Sequence, residues 1–515
     1  MNDFFPPPAN TASARPAEAE PHVLIVGGGI SGLSAAWEAA TTGGARVTLL
    51  ERDDRWGGKI VTDRLTFDDA GRTVTLLLDG GPESFITRKA AAWELAGELG
   101  LQDAVQKAGN ETSNTYVLDN GEPKPVPLSP AKFINSTLIS TRAKLRLIAE
   151  PLVRARRDMD DESLASFVSR RLGPETLDKF VGPILGGIYN TDPQHQSIMV
   201  SSPVMREMER DHGGLFVATV ARGVAKARKR KALEAQGLSM PPAFMAFADG
   251  SQVMVDTLAA RLHALPNVRL QLNADVQALA RNENGYVLTL ADGQTLAADV
   301  VILATPANVA ARLINGIDGP SAQRLDAIRH VSIGTISLVY RTREFDAAHA
   351  FSGLMIPRRE HRAIDAVTVT SARFPERIPQ EYTVVRVFFG GSAPHIMALN
   401  DAELRAAVQG ELRLLLGINA QSIAVAIQRW PNAYPQADVG QLARVDKIER
   451  GLPKGIYVTG ASYRGIGVPD CVAQGRATAA EAMQAVLAVL AVQTQTVTVE
   501  GLNPMHSMSN KEEAL

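Results

Sequence analysis

Cysteine is nearly missing from this sequence: among 515 residues only Cys471 occurs. No intrachain disulfide can form, and a cysteine-based metal cluster has no ligands. An excess of positive charge is missing too. Lys and Arg total 53 against 55 Asp and Glu, a formal net charge of −2, so the chain has no global field of the kind that gathers nucleic acid. Long apolar runs are also missing: the longest, such as residues 485–492, fall well short of the ~18 that a membrane-spanning helix needs. Residues 1–20, rich in Pro and Ala, lack the basic start and apolar stretch of a secretory signal. They are expected to be a disordered arm, and the polar, patternless segment 493–515 a disordered tail. The expectation is a soluble, cytoplasmic chain with no transmembrane segment and no nucleic-acid partner; a loose membrane contact through a surface patch stays open.

What is present is ordinary globular composition, with 45% hydrophobic and 21% charged residues. A single core stops growing at roughly 250–300 residues, so more than one domain is expected. His22–Val26 is a short branched-apolar run of the kind that forms a buried parallel strand. It runs into Gly27-Gly28-Gly29-Ile30-Ser31-Gly32, a helical pattern follows, and Arg46–Leu50 reads as a second strand delivering Glu51. In G-x-G-x-x-G the first glycine makes the tight turn and the second lets backbone approach a pyrophosphate. The third lets helix and strand pack closely. The helix N-terminus offers free N–H groups to phosphates, and a carboxylate at Glu51 suits ribose hydroxyls. The alternative is a glycine-rich turn that carries no ligand.

Further along, residues 91–239 read as mostly helical, interrupted by a Pro-rich stretch at 123–130. Strands are expected at 268–272, 286–290 and 300–304, and again at 336–340, 366–370 and 384–389. A last strand at 456–459 precedes a glycine-rich turn and a helix at 473–491. The nine histidines show no metal-ligand spacing, no metal site is expected, and His195 reads as a loop residue.

Four segments resemble motifs of the FAD-binding amine oxidase superfamily. The first is the turn at 27–32 with Glu51. The second is Arg52-Asp53-Asp54-Arg55-Trp56-Gly57-Gly58-Lys59, similar to an Arg-x-Gly-Gly motif. The third, Leu78-Asp79-Gly80-Gly81-Pro82-Glu83-Ser84-Phe85, resembles a loop near the flavin ring. The fourth is Tyr457-Val458-Thr459-Gly460-Ala461. Their order makes FAD the expected cofactor rather than NAD.

The resemblance narrows to the oxygen-dependent porphyrinogen oxidases of haem synthesis and covers about residues 22–490. It is carried by 81–85, 180–189, 387–391 and above all Tyr463-Arg464-Gly465-Ile466-Gly467-Val468-Pro469-Asp470-Cys471. One departure is that the family's Gly-Val-x-Ala-Gly-Asp run stands here as Gly186-Gly187-Ile188-Tyr189-Asn190-Thr191-Asp192. The resemblance implies an α/β fold. A discontinuous Rossmann-like FAD-binding domain (22–95, 245–325 and 425–490) would join a mainly helical subdomain (96–244) and a mixed α/β substrate domain (326–424).

The resemblance also implies an oxidoreductase that acts on CH–CH donors with molecular oxygen as acceptor. Coproporphyrinogen III is the expected substrate, with protoporphyrinogen IX as the alternative. An amine oxidase or desaturase of the superfamily is a wider alternative, and a catalytically silent flavoprotein scaffold another. A transient contact with the next haem-pathway enzyme would follow from the same assignment.

Implied cofactor contacts are Gly27, Gly28, Gly29, Ile30, Ser31 and Gly32 in the first turn, and Glu51, Arg52, Arg55, Gly58 and Lys59 beyond the second strand. Gly81, Pro82, Glu83 and Ser84 follow, then Gly460, Gly465, Ile466, Gly467 and Val468 near the C-terminal end. Val276 and Trp430 match family positions that touch FAD, with core packing the competing reading. Arg88 and Lys89 are the candidate substrate contacts, with a solvated helix-start charge as the competing reading. The clusters Arg142, Lys144, Arg146 and 228–231 read as exposed helix faces. Cys471 reads as a packing residue. The chemistry is expected to be flavin-centred, with no catalytic base assigned.

Overall fold

The computed structural model describes residues 20–42, 44–106, 115–127, 132–133, 135–237, 240, 242–283, 285–346 and 351–500. The expected arm, but for Glu20, and the tail beyond Glu500 lie outside the described residues.

A five-stranded parallel sheet organises the nucleotide end. Its spatial order is Val268–Gln271, Arg46–Leu50, His22–Val26, Val300–Leu303, Ile456–Val458. Strands from the start, middle and end of the sequence therefore lie side by side. The inner strands His22–Val26 and Val300–Leu303 are branched-apolar because both faces are covered, whereas the edge strand Val268–Gln271 carries Arg269 and Gln271. On one face lie the helices Ile30–Thr42, Gln252–His263 and Val468–Glu500, packed through Ile25, Leu33, Val47, Leu258 and Val472. On the other lie a three-stranded antiparallel sheet (Val276–Asn282, Gly285–Leu290, Thr295–Ala298) and the helices Ala307–Ile314 and Gly319–Asp326. The last helix starts before the expected 473 and continues past 491 into the segment expected as a tail.

A seven-stranded sheet forms the second body, in the order Ala424–Pro435, His330–Arg341, Tyr382–Phe389, Ile364–Val369, Gly353–Met355, Thr115–Asp119, Glu122–Pro125. Two expectations are corrected here. Residues 425–435, expected with the nucleotide segments, are part of the strand Ala424–Pro435 that pairs along nearly all of His330–Arg341, and belong to this sheet. Residues 115–125, expected inside the helical block, supply its far edge, where Pro123 and Pro125 are tolerated because an edge strand leaves one row of N–H groups unused. Helix Asp401–Leu416 covers one face, its N-terminus closed by a reciprocal Asn400/Glu403 capping box. The hairpin Thr62–Asp69/Arg72–Asp79 packs Val74, Leu76 and Leu78 on Val339, Tyr382 and Val384 of this second body.

A third block is helical: Thr141–Ile148, Leu164–Leu172, Pro203–His212, Leu215–Glu234 and a wide π-type helix, Leu177–Gly186, with Pro183 inside it. A π turn loosens the backbone ladder and is characteristic of functional segments. It leads into Gly187–Tyr189 and then Asn190, which stands in the left-handed region at φ 47°.

Candidate functional site

The strand His22–Val26 ends at Gly27, whose φ of +109° an L side chain rarely adopts; a Cβ there would also lie 2.9 Å from the Ala304 carbonyl oxygen. A Cβ on Gly32 would lie 1.9 Å from the Gly27 carbonyl oxygen, so the turn closes directly on the helix. Gly29 differs: no protein atom lies within 4 Å of where its Cβ would stand. Tight packing at the first and third glycines with clearance at the second is the arrangement a pyrophosphate needs.

Glu51, buried at the tip of the neighbouring strand, accepts hydrogen bonds from the Gly28 N–H (2.6 Å, Oε2) and the Asp53 N–H (3.0 Å, Oε1). Each carboxylate oxygen retains a second lone pair for a ribose hydroxyl. Val276 lies in the core of the adjoining layer, on the segment whose Ala274 N–H donates to the Glu51 carbonyl. Trp430 is half-buried on the seven-stranded sheet, opposite Ile333.

The second glycine pair folds back on the first turn. Gly29 and Gly57 form an isolated parallel bridge, and the Gly57 N–H donates to the Gly28 carbonyl at 2.9 Å. Arg55, expected as a cofactor contact, donates to the carbonyls of Gly58 (2.6 Å), Ile60 (3.2 Å) and Trp56 (3.3 Å), pinning this turn. Arg52 is exposed and pairs with Asp53. Lys59 is different. Its ammonium has no hydrogen-bond or ion-pair partner among the described residues, and burial lowers its pKa, with nearby Cys471 opposing. A half-buried cation left without a partner beside a glycine cradle is suited to an anionic ligand.

The loop at 80–84 sits on that same turn: a Cβ on Gly81 would lie 1.8 Å from the Lys59 carbonyl oxygen. Thr335 Oγ1 donates to the Gly80 carbonyl (2.9 Å), Ser251 Oγ to that of Pro82 (2.6 Å), and Arg386 to those of Gly80 and Gly81. Glu83, also expected at the cofactor, is engaged by protein groups. Thr370 donates to it at 2.7 Å and Arg373 pairs with it at 3.1 Å. Burial works against its ionisation, but Arg386, Arg373 and Thr370 outweigh burial and its pKa is lowered. Ser84 lies beside Arg373, at 3.4 Å.

The C-terminal motif meets the first. A Cβ on Gly475 would lie 2.3 Å from the Ser31 carbonyl oxygen, and one on Gly460 3.7 Å from Ser31 Oγ. The turn carrying Gly465, Ile466, Gly467 and Val468 wraps the Asp470 carboxylate, which stands 2.9 Å from the Cβ positions of both Gly465 and Gly467. Asp470 accepts from Lys89 Nζ at 2.6 Å. Lys89, expected to be open to substrate, thus already has a carboxylate partner, one that proximity in sequence could not reveal. Arg88 beside it is exposed. Burial pushes the Cys471 thiol up to about 11, so it stays neutral at physiological pH.

Two aromatic groups escaped the sequence reading. Tyr189 leaves the π-type helix and donates to the Ser201 carbonyl at 2.8 Å, and burial together with nearby Asp470 raises its pKa to about 12. Tyr434, from the long edge strand, is half-buried beside it, and desolvation raises its pKa as well. The signal available for Tyr189 was Pro183 inside a helical pattern, followed by Gly186-Gly187. Arg88, Lys89, Asp470, Tyr189 and Tyr434 thus bring nucleotide body, helical block and second sheet to one place. His195 lies elsewhere, beside Arg329 and Asp438, and among the described residues no His/Cys/Asp/Glu group could hold a metal.

Residues 30–483 match the family model for flavin containing amine oxidoreductase. The chain is 30% identical to the coproporphyrinogen III oxidase of Propionibacterium freudenreichii, over 94% of this chain and 94% of that one. It is 29% identical to the coproporphyrinogen III oxidase of Bacillus subtilis, over 91% and 99%. Its fold superposes on the crystal structure of a protein from Exiguobacterium sp. 255-15 with a TM-score of 0.76, at 24% identity, over 90% of this chain and 99% of that one. A glycine cradle assembled from both ends of the sequence and a match running almost its whole length lead to one conclusion: the chain belongs to the flavin-containing amine oxidoreductase family.

Proposed function

We propose that this flavoenzyme oxidises coproporphyrinogen III to coproporphyrin III. The observation that carries the reading is the convergence of Arg88, Lys89, Tyr189 and Tyr434 beside Asp470, next to the flavin cradle. It is supported by near end-to-end relatives named for that reaction. A large apolar macrocycle edged with carboxylates calls for aromatic walls and rim cations, and this place supplies both.

Balance sets the demands. Six hydrogens leave the porphyrinogen, and three molecules of oxygen become three of hydrogen peroxide. FAD supplies, when bound, a two-electron acceptor that is used three times per substrate. The chain's own residues bind and orient. In this proposal the backbone at Gly29 faces the pyrophosphate, Glu51 holds the ribose, and Lys59 meets a negative charge of the cofactor. Arg55 and Arg386 act indirectly, by fixing the two loops, as does Glu83. Lys89 and Arg88 take propionates of the substrate, Lys89 by exchanging or sharing Asp470. No side chain is assigned as a base: the Cys471 thiol stays neutral. Oxygen as acceptor, a cytoplasmic location and hand-over of product to a following enzyme belong to the same proposal.

The test is turnover on coproporphyrinogen III and protoporphyrinogen IX side by side, with peroxide measured in parallel. Coproporphyrin III should form faster, with one peroxide per two electrons. A higher kcat/KM for protoporphyrinogen IX would replace the substrate, and no porphyrin from either would overturn the reading.

A further inference from the structure

Lys89 and Asp470 stand 381 positions apart in the sequence and meet at 2.6 Å. The lysine side chain is 37% exposed and the aspartate 21%, so the pair lies at the edge of the protein rather than in its core. The two partners are not equally free to move. Gly465 and Gly467 close on the carboxylate from behind: a Cβ on either would lie 2.9 Å from Asp470 Oδ2, and Gly465 stands at φ +146°. Asp470 also belongs to the first turn of helix Val468–Glu500, which fixes its backbone. Lys89 reaches it on a flexible four-carbon stem and uses one of three N–H donors. When the pair opens, the lysine is the part that moves.

Among the described residues Asp470 is the one ion-pair partner of Lys89, and the exposed Arg88 beside it has none. Tyr189 borders the same place, where Asp470 helps to raise its pKa and Arg88 opposes. An acid in this position calls for a reason. A surface that only had to hold carboxylates would set no carboxylate against its cation, because like charges at close range lower affinity. A partly exposed ion pair adds little to stability, so the fold alone does not account for a turn shaped around this one. The porphyrinogen reaction supplies the reason. It takes six hydrogens from the macrocycle and leaves the propionates unchanged. Whatever grips the propionates therefore grips substrate and product alike, and too strong a grip would slow turnover at release.

We propose that Asp470 is a built-in competitor for Lys89, a positioning residue that sets how long a carboxylate-bearing macrocycle is held. In the empty site it holds the Lys89 ammonium. An arriving carboxylate draws the ammonium away or shares it, and Asp470 takes it back as the product leaves. The step is an exchange of ion-pair partners, in which no covalent bond changes and no proton moves. The inference rests on the porphyrinogen reading.

The test is equilibrium binding of coproporphyrin III, the oxidised product, to the flavin-loaded full chain, with turnover on coproporphyrinogen III measured alongside. Asp470→Asn keeps the shape of the side chain and removes its charge. It should bind the porphyrin about three- to tenfold more tightly, mainly through slower release, and KM should fall. Asp470→Ser, which leaves no amide against Gly465 and Gly467, is the second variant and should show the same gain. In a Lys89→Ala background the gain from Asp470→Asn should shrink to about twofold or less, because no ammonium is left to contest. All variants are compared at equal flavin content and with melting temperatures recorded. Weaker porphyrin binding in both Asp470 variants would make the carboxylate a group that orients Lys89. Unchanged binding would leave the pair purely structural, and an equal gain without Lys89 would reduce Asp470 to a simple repulsive charge. Each of these overturns the proposal. A parent enzyme that forms no coproporphyrin III would fail the functional reading itself, which turnover reports before any variant is made.

Discussion

The nucleotide cradle and the helical block treat their polar groups in opposite ways. In the cradle, Lys59 has no hydrogen-bond or ion-pair partner among the described residues, the backbone at Gly29 has clearance, and Glu51 keeps lone pairs in reserve. In the block, the charges are turned on one another. Arg170 reaches Glu209 (2.5 Å) and Glu162 (2.8 Å), Arg171 holds Glu150 and the Val153 carbonyl, and Arg206 pairs with Glu209. Glu209 has a lowered pKa although burial opposes this, because Arg170, Arg171 and the Arg156 N–H outweigh burial. Arg171, Arg206 and Glu209 are fully buried. One region is built to be completed by a ligand, while in the other each buried charge faces a counter-charge of the protein. Mutations should therefore separate ligand retention from folding.

The largest effect is expected in the block. Arg171→Met leaves Glu150 buried without its counter-charge and should cost about 3–5 kcal/mol of stability, read by denaturant unfolding. The folded fraction should still carry its flavin. Selective flavin loss with unchanged stability would break the contrast from one side. Gly29→Val tests it from the other. Its Cβ meets no protein atom, so the chain should fold, while flavin affinity should fall about 100-fold or more because the branched side chain occupies the pyrophosphate's approach. Normal flavin content in the purified variant would misplace the phosphates. Lys89→Ala should raise KM for the porphyrinogen between a few-fold and about 100-fold, the worth of a partly exposed charge-assisted bond of roughly 1–3 kcal/mol, while kcat and flavin content hold. The parent's KM should also rise with salt. An unchanged KM would return Lys89 to a purely internal pairing with Asp470. The smallest effect belongs to Cys471. With its thiol at about 11, only about 0.1% is thiolate at pH 8, so alkylation by iodoacetamide should be slow until the chain unfolds. Rapid labelling of the native enzyme would show a thiolate that the burial argument excludes.

How far the sequence could be read follows the same division between local and distant. The unit from His22 to Glu51 was legible because strand, glycine turn, helix and strand are adjacent and each carries its own signal. The C-terminal glycines were legible as a motif, but their partner Ser31 lies at the other end of the chain. What a motif could not show was whether a charged residue faces a ligand or the protein. Glu83 is claimed by Thr370, Arg373 and Arg386, and Lys89 by Asp470, all hundreds of residues away. The hairpin Thr62–Asp69/Arg72–Asp79 gave little warning because its turn is Ala70-Gly71, with alanine in the left-handed region at φ 56° instead of the usual Asn or Asp. Thr115–Asp119 pairs locally with Glu122–Pro125 across the turn Asn120-Gly121, a hairpin signal that the helical reading of 91–239 passed over; its other partner, Gly353–Met355, comes far later.

The seating of Gly475 against Ser31 also sets a timetable for synthesis. Those two residues are 444 positions apart. At the ~5–20 residues per second of a translating ribosome, helix Ile30–Thr42 emerges roughly 20 to 90 s before the helix that must cover it. During that interval the nascent chain presents an unfinished nucleotide sheet and an apolar helix face to the cell. The cofactor cradle closes only when helix Val468–Glu500 leaves the exit tunnel. Flavin loading is consequently a late event in the life of this polypeptide, and a chain truncated before residue 456 would be a client for chaperones and proteases rather than a partially active enzyme.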